Sequence, residues 1–201
     1  MNLYDALAAE LTDTVWLDTA LETVARQPSA IGRLFPAAGR RCGRWAFKDS
    51  AGLPGWTVDD AARVLLLTRM PADALRTELE PLYRYGDGAE KRAVLRALPL
   101  LPPQVAAPEI LLDALRTNDT RLVAAALGPA AACLPDAAWR QGVLKAVFMG
   151  LPLAAVADLD TRADAELATM LAGLVEERTA AGRAVAEDAT ALLHRLQERV
   201  S

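Results

Sequence analysis

Histidine occurs once in this chain, cysteine twice and lysine only three times. Each scarcity removes a class of chemistry. His194, expected on a C-terminal helix, has no second histidine to join it. A clustered metal site and a Ser-His-Asp or Cys-His relay both lack parts, so no metal is expected. Cys42 and Cys133 show no CxxC spacing and are expected to be free, reduced thiols. The short glycine-rich segments GDG (86–88) and AGLPG (51–55) do not join a strand to a helix; they are expected to be turns, not phosphate loops, and no cofactor is implied. No run of apolar residues reaches the length of a membrane span: AALGPAAACLP comes nearest, and two prolines break it. The N-terminal MNLYDALAAELTD has neither the basic start nor the apolar core of a signal peptide, so a cytoplasmic protein without an integral membrane segment is expected. The net charge of −4 argues against nucleic-acid binding.

What is present points to helices. Hydrophobic residues make up 53% of the 201 positions and charged ones 24%. Alanine and leucine supply most of that apolar volume, and both are strong helix formers. Leu3, Leu7 and Leu11 repeat at helical spacing, as do Trp16, Ala20 and Val24, and the spacing predicts helices through residue 28. Residues 29–57 have weak periodicity and scattered glycine and proline, and are expected to be a long basic loop with at most one short helix. From Thr57, a cap-like residue, helices follow one another with short turns, which favours antiparallel neighbours. Asn118 reads as a left-handed C-terminal cap, and Asp119 or Thr120 as the cap of the next helix. A last helix covers 186–200. The fold class is all-α: antiparallel helical hairpins in a HEAT-like, α-solenoid-like array, or an irregular helical bundle. A single domain over 1–201 is the simplest reading.

The stretch DAAWRQGVLKAVFMGLPL (136–153) is nearly all apolar yet keeps three polar residues. On a helical wheel Trp139, Val143, Ala146 and Val147 share one arc, extended by Leu144 and Phe148. Gln141 and Lys145 form a narrow polar stripe, while Arg140 falls inside the apolar arc. An unpaired buried guanidinium is costly, so Arg140 either reaches the surface or pairs with an acid, with Asp113, Asp136, Asp158 and Asp160 as candidates. Lys145 is either a solvated residue or a buried amine of lowered pKa. LDTRADAEL (159–167) concentrates Asp160, Arg162, Asp164 and Glu166 before a helix, where carboxylates suit the N-terminus. The segment RLFPAAGRRCGRWAFK sets Arg40, Arg41, Arg44 and Trp45 among other cations and aromatics, a pattern suited to an anionic partner or to packing against acidic faces.

Three stretches, LDALRTND (112–119), DAAWRQGVLKAVFMGLPL (136–153) and GLVEERTAAGR (173–183), with LDTRADAELATML (159–171) between, together resemble the EboA-domain family. The resemblance spans roughly 57–185. The family pattern commonly has Asn where this chain has Arg140, and His-Glu-Arg-Trp where it has Glu176, Glu177, Arg178 and Thr179. A charged helix with Leu192, Leu193 and Leu196 replaces the short Trp- and Cys-containing tail. The resemblance implies a role in making or moving a metabolite beside secondary-metabolite enzymes. It implies an accessory protein that binds a pathway metabolite or a pathway enzyme. The alternative is a small cofactor-independent isomerase or cyclase acting on a natural-product intermediate. Binding candidates are Arg40, Arg41, Arg44, Trp45, Asp113, Arg116, Asn118, Trp139, Arg140, Lys145, Asp160, Arg162, Glu177 and Arg178. A homo-oligomer is compatible with all of this.

Overall fold

A computed structural model describes residues 2–48, 54–105 and 107–200. Among these the regular structure is helical, with one isolated antiparallel bridge between Ala46 and Thr57. The all-α expectation holds. The chain divides into two compact units, 1–110 and 111–201.

The first unit contains α1 (Leu3–Ala8), α2 (Val15–Arg26), α3 (Ile31–Arg41), α4 (Val58–Thr68), α5 (Ala72–Tyr85) and α6 (Gly88–Ala97). Helix α4 is its centre. Val58, Ala61, Ala62, Val64, Leu66 and Leu67 on it are all fully buried. A helix buried on every side is one surrounded by neighbours, and α1, α2, α3 and α6 all pack on α4. Its start is fixed by Asp60, whose Oδ2 accepts from the Thr57 N–H at 3.0 Å and from Thr57 Oγ1 at 2.8 Å. Asp87 caps α6 by accepting from the N–H groups of Ala89 and Glu90.

The long loop expected over 29–57, with at most one short helix, is corrected in extent: residues 31–41 form a helix of eleven residues. Ile31, Leu34, Phe35 and Ala38 are buried at i, i+3, i+4 and i+7 spacing. Gly32, Pro36 and Gly39 lower intrinsic propensity, and tertiary burial overrides it. Beyond α3, Phe47 N donates to Trp56 O and Val58 N to Trp45 O, which closes the rest of the loop into a neck. Residues 49–53 of that loop lie outside the described residues.

Helix α7 (Pro108–Arg116) leads into the second unit, which holds α8 (Thr120–Ala126), α9 (Asp136–Phe148), α10 (Leu159–Arg162), α11 (Ala165–Ala180) and α12 (Glu187–Val200). Helix α9 packs on α8 and α11, and α11 on α12. Asp119 caps α8, accepting from Arg121 N. Asn118 is not a left-handed cap, because among the described non-glycine residues only Asp158 has a positive φ. The end of α7 is closed instead by Thr117, whose N–H and Oγ1 both donate to Ala114 O, and Asp119 opens the next helix at once.

Candidate functional site

Two arginines organise the second unit around Trp139, which has no exposed surface. Arg162 lies over the indole, 4.7 Å from its centroid. Its guanidinium donates to Ala131 O at 2.8 Å, to Leu134 O at 2.9 Å and to Asp136 Oδ1 at 2.7 Å. One planar cation thus ties α10 to the turn that precedes α9. Arg140 pairs with Asp164, its Nε donating to Oδ1 and Oδ2 at 3.0 and 3.2 Å, and its Nη1 lies 3.0 Å from Glu166. Of the two outcomes open to Arg140, solvent or an acid, it takes the acid, and the four candidates Asp113, Asp136, Asp158 and Asp160 are corrected to Asp164 and Glu166. Asp164 is the N-cap of α11, accepting from Leu167 N at 2.9 Å, so the pairing uses a carboxylate that the helix start already needs. The Arg140 hydrogen bond, together with the Leu167 N–H, holds the Asp164 carboxyl below the usual carboxylate range. The indole N–H of Trp139 is buried without an acceptor.

Beside this frame is an open groove of about 430 Å³, within the range of small-molecule sites. The 3₁₀ turn at Leu153–Ala155, the short helix α10 and the first turns of α12 form it. Leu153 and Val156 are buried beneath it. Asp158, Asp160 and Asp188 face it with a single cation, Arg195. Asp188 Oδ2 accepts from the Leu153 N–H at 2.7 Å, which fixes the turn to α12. Asp158 adopts φ 57°, a left-handed conformation that aspartate tolerates better than most residues. Its carbonyl accepts from the N–H groups of Thr161 and Arg162 and starts α10. Arg195 Nη1 is 3.7 Å from Asp160 Oδ1, and Arg199 donates to Asp160 O. An apolar floor with three carboxylates against one guanidinium accepts hydrogen bonds from hydroxyl or amine groups on a partly apolar molecule.

The other residues singled out from the sequence are dispersed. Asp113 and Arg116 pair with each other along α7 at 3.4 Å. Asn118 and Glu177 are exposed and Lys145 is half-buried. Arg178 donates to Ala184 O and to Phe148 O and covers the Phe148 ring. Phe148 is exposed, outside the buried arc of α9. In the first unit Arg40, Arg41, Arg44 and Trp45 are all exposed. Of the binding candidates, only Asp160 lines the groove; Asp158, one of the acids offered to Arg140, lines it too, and Asp188 and Arg195 carry no local sequence signal that marks them.

The sequence reading also passed over a buried charge network in the first unit. Asp59, Asp60, Arg63 and Arg92 are all buried. Arg63 donates to Asp59 through Nη1 and to Phe35 O through Nε, at 3.1 Å for the latter. Asp60 accepts from Arg92 and Arg96, and Arg96 also donates to Gly55 O at 2.8 Å. One signal was available: DDAAR places an acid and an arginine four apart at the start of a helix otherwise apolar on every side. The network pins the loop end at 55–57 to α4 and α6.

The architecture and the groove together define an all-α protein with a small-molecule-sized cleft among the described residues of its C-terminal unit. Residues 45–194 match the model of the family described as "Metabolite traffic protein EboA", and the chain belongs to that family. No curated protein matches it. No solved structure matches it.

Proposed function

We propose that this chain is a cytoplasmic accessory protein of a biosynthetic pathway, and that its C-terminal groove carries a pathway metabolite. The family is one of metabolite traffic. The observation that carries the assignment to the groove is the pairing of a buried apolar floor, Leu153 and Val156, with the carboxylates of Asp158, Asp160 and Asp188. The ligand class is a small, partly apolar molecule bearing hydroxyl or amine groups. A carrier needs a reversible site and no reacting group, which is what an open cleft of hydrogen-bond acceptors provides.

Native mass spectrometry of the protein purified from a host that expresses the neighbouring biosynthetic genes tests this. A bound small molecule is expected, and Asp160→Asn should weaken it roughly tenfold, the effect of losing a hydrogen bond to a charged acceptor. A bound molecule whose occupancy ignores both Asp160→Asn and Asp188→Asn places the site elsewhere. A chain that carries no small molecule but holds one of the pathway enzymes supports an enzyme-binding role over carriage.

A further inference from the structure

We propose that the solvent face of α3 docks the protein on an anionic lipid surface; this goes beyond the metabolite reading and does not depend on it. Residues 23–48 contain Arg26, Arg33, Arg40, Arg41, Arg44 and Lys48 and no aspartate or glutamate. The fold turns that stretch into a surface. Ile31, Leu34, Phe35 and Ala38 bury the inner side of α3, Arg33 and Arg40 are exposed on the opposite side, and Arg41 is exposed at the helix's last residue. Among the described residues none of Arg33, Arg40, Arg41 and Arg44 has an ion pair, although the charge of Arg44 is felt at Asp87. Arg26 pairs with Glu22, and Lys48 approaches Glu10 at 3.9 Å.

Helix electrostatics accounts for only part of this pattern. Cations in the last turn, Arg40 and Arg41, complement the C-terminal carbonyls. Arg33 lies in the first turn, the end that disfavours a cation, and no acid accompanies it there. Arg33 and Arg40 are seven residues apart, two turns, so they share a face about 10 Å apart along the axis. An extended array of negative charge can meet both guanidiniums at once, and that is the partner this acid-free face complements. Trp45 adds an aromatic at the same end. Gly43, at φ 99°, lets the ring lie against its backbone, where a Cβ would stand 1.7 Å from a ring atom. The ring is therefore fixed, yet half of the residue remains exposed. Arginines beside a rigid, half-exposed indole suit a lipid interface, where charge meets headgroups and the aromatic sits at their level.

Co-sedimentation with vesicles of phosphatidylcholine, alone or mixed with phosphatidylserine, tests the proposal. Binding is expected only with the serine lipid, rising with its fraction and falling with salt. The variant R33Q/R40Q/R41Q should bind about 100-fold more weakly, given the contribution of each basic residue near such a surface. The control R116Q/R121Q/R183Q in the second unit should bind as the parent does. Trp45 emission should shift to the blue on the vesicles, a change absent from W45F. Circular dichroism checks that the variants keep their helices, and the lipid-charge series stands without any variant. Equal binding to neutral vesicles, full binding by the α3 variant, or no binding to either vesicle overturns the proposal. So does binding to single-stranded DNA or to an acidic peptide without binding to vesicles, which would assign the face to a different polyanion.

Discussion

Asp60, without exposed surface, receives Arg92 Nε on both carboxylate oxygens, at 3.0 and 3.1 Å. Arg96 binds the same carboxylate from the next turn of α6. Removing one partner of a buried pair strands the other charges. Asp60→Ala is therefore expected to cost about 3–5 kcal/mol in urea denaturation. The neck at 55–57 should also become sensitive to protease, because Arg96 holds Gly55 O as well. A loss under about 1 kcal/mol would mean that water reaches these charges in solution.

Asp59 and Arg63 lend themselves to a double-mutant cycle. Arg63→Met leaves Asp59 buried without its counter-charge and should be strongly destabilising, again by about 3–5 kcal/mol. Asp59→Leu combined with Arg63→Met removes both charges at similar volume. The double variant should recover most of the loss, since Asp59 Oδ1 and Arg63 Nη2 are already buried without hydrogen-bond partners. Additive losses would instead assign the cost to packing around Phe35.

The two cysteines should react very differently. Burial, with the nearby Asp59 carboxylate adding to it, pushes the Cys42 thiol up to about 11. Cys42 therefore holds almost no thiolate at neutral pH and is shielded as well. Cys133 is exposed. Titration with a thiol reagent at neutral pH should count one fast thiol in the native protein and two after unfolding.

The Arg140–Asp164 pair sets a pH dependence in the second unit. Because the folded carboxyl is held below its unfolded value, the stability it confers is complete above the unfolded pKa of about 3.9. That stability is lost as pH falls through the lower, folded value. Denaturation midpoints should thus drop in acid below about pH 4, and Asp164→Ala should flatten that drop. At neutral pH the same variant should lose about 1 kcal/mol, the usual contribution of an N-cap.

Helices with strong caps were the legible part of this fold. Thr57, Asp119 and the acids before α11 announce starts through short side chains that bond the nearest N–H groups, and those interactions are local. Helix α3 is longer than the one short helix expected in 29–57, because Gly32, Pro36 and Gly39 weaken local propensity while the 31, 34, 35, 38 spacing that rescues it draws on burial by α4 and α2. Arg140 shows the same boundary in finer detail. The wheel leaves Arg140 a choice between solvent and an acid, and pairing with Asp164 rather than with four other aspartates depends on how α9 meets the start of α11. The groove was hidden for that reason: Asp158, Asp160 and Asp188 become neighbours only when α12 folds back on α10.

Arg162 carries a consequence for how this protein can change over time. Two of its three hydrogen bonds in the 131–136 turn go to main-chain oxygens, which any residue supplies. The side chains of that turn can therefore drift while the join to α10 survives. A lysine at 162 could not sustain it, since a single ammonium cannot span the three acceptors and lie flat over an indole as well. Substitutions should accumulate freely around the clasp and rarely at the clasp itself.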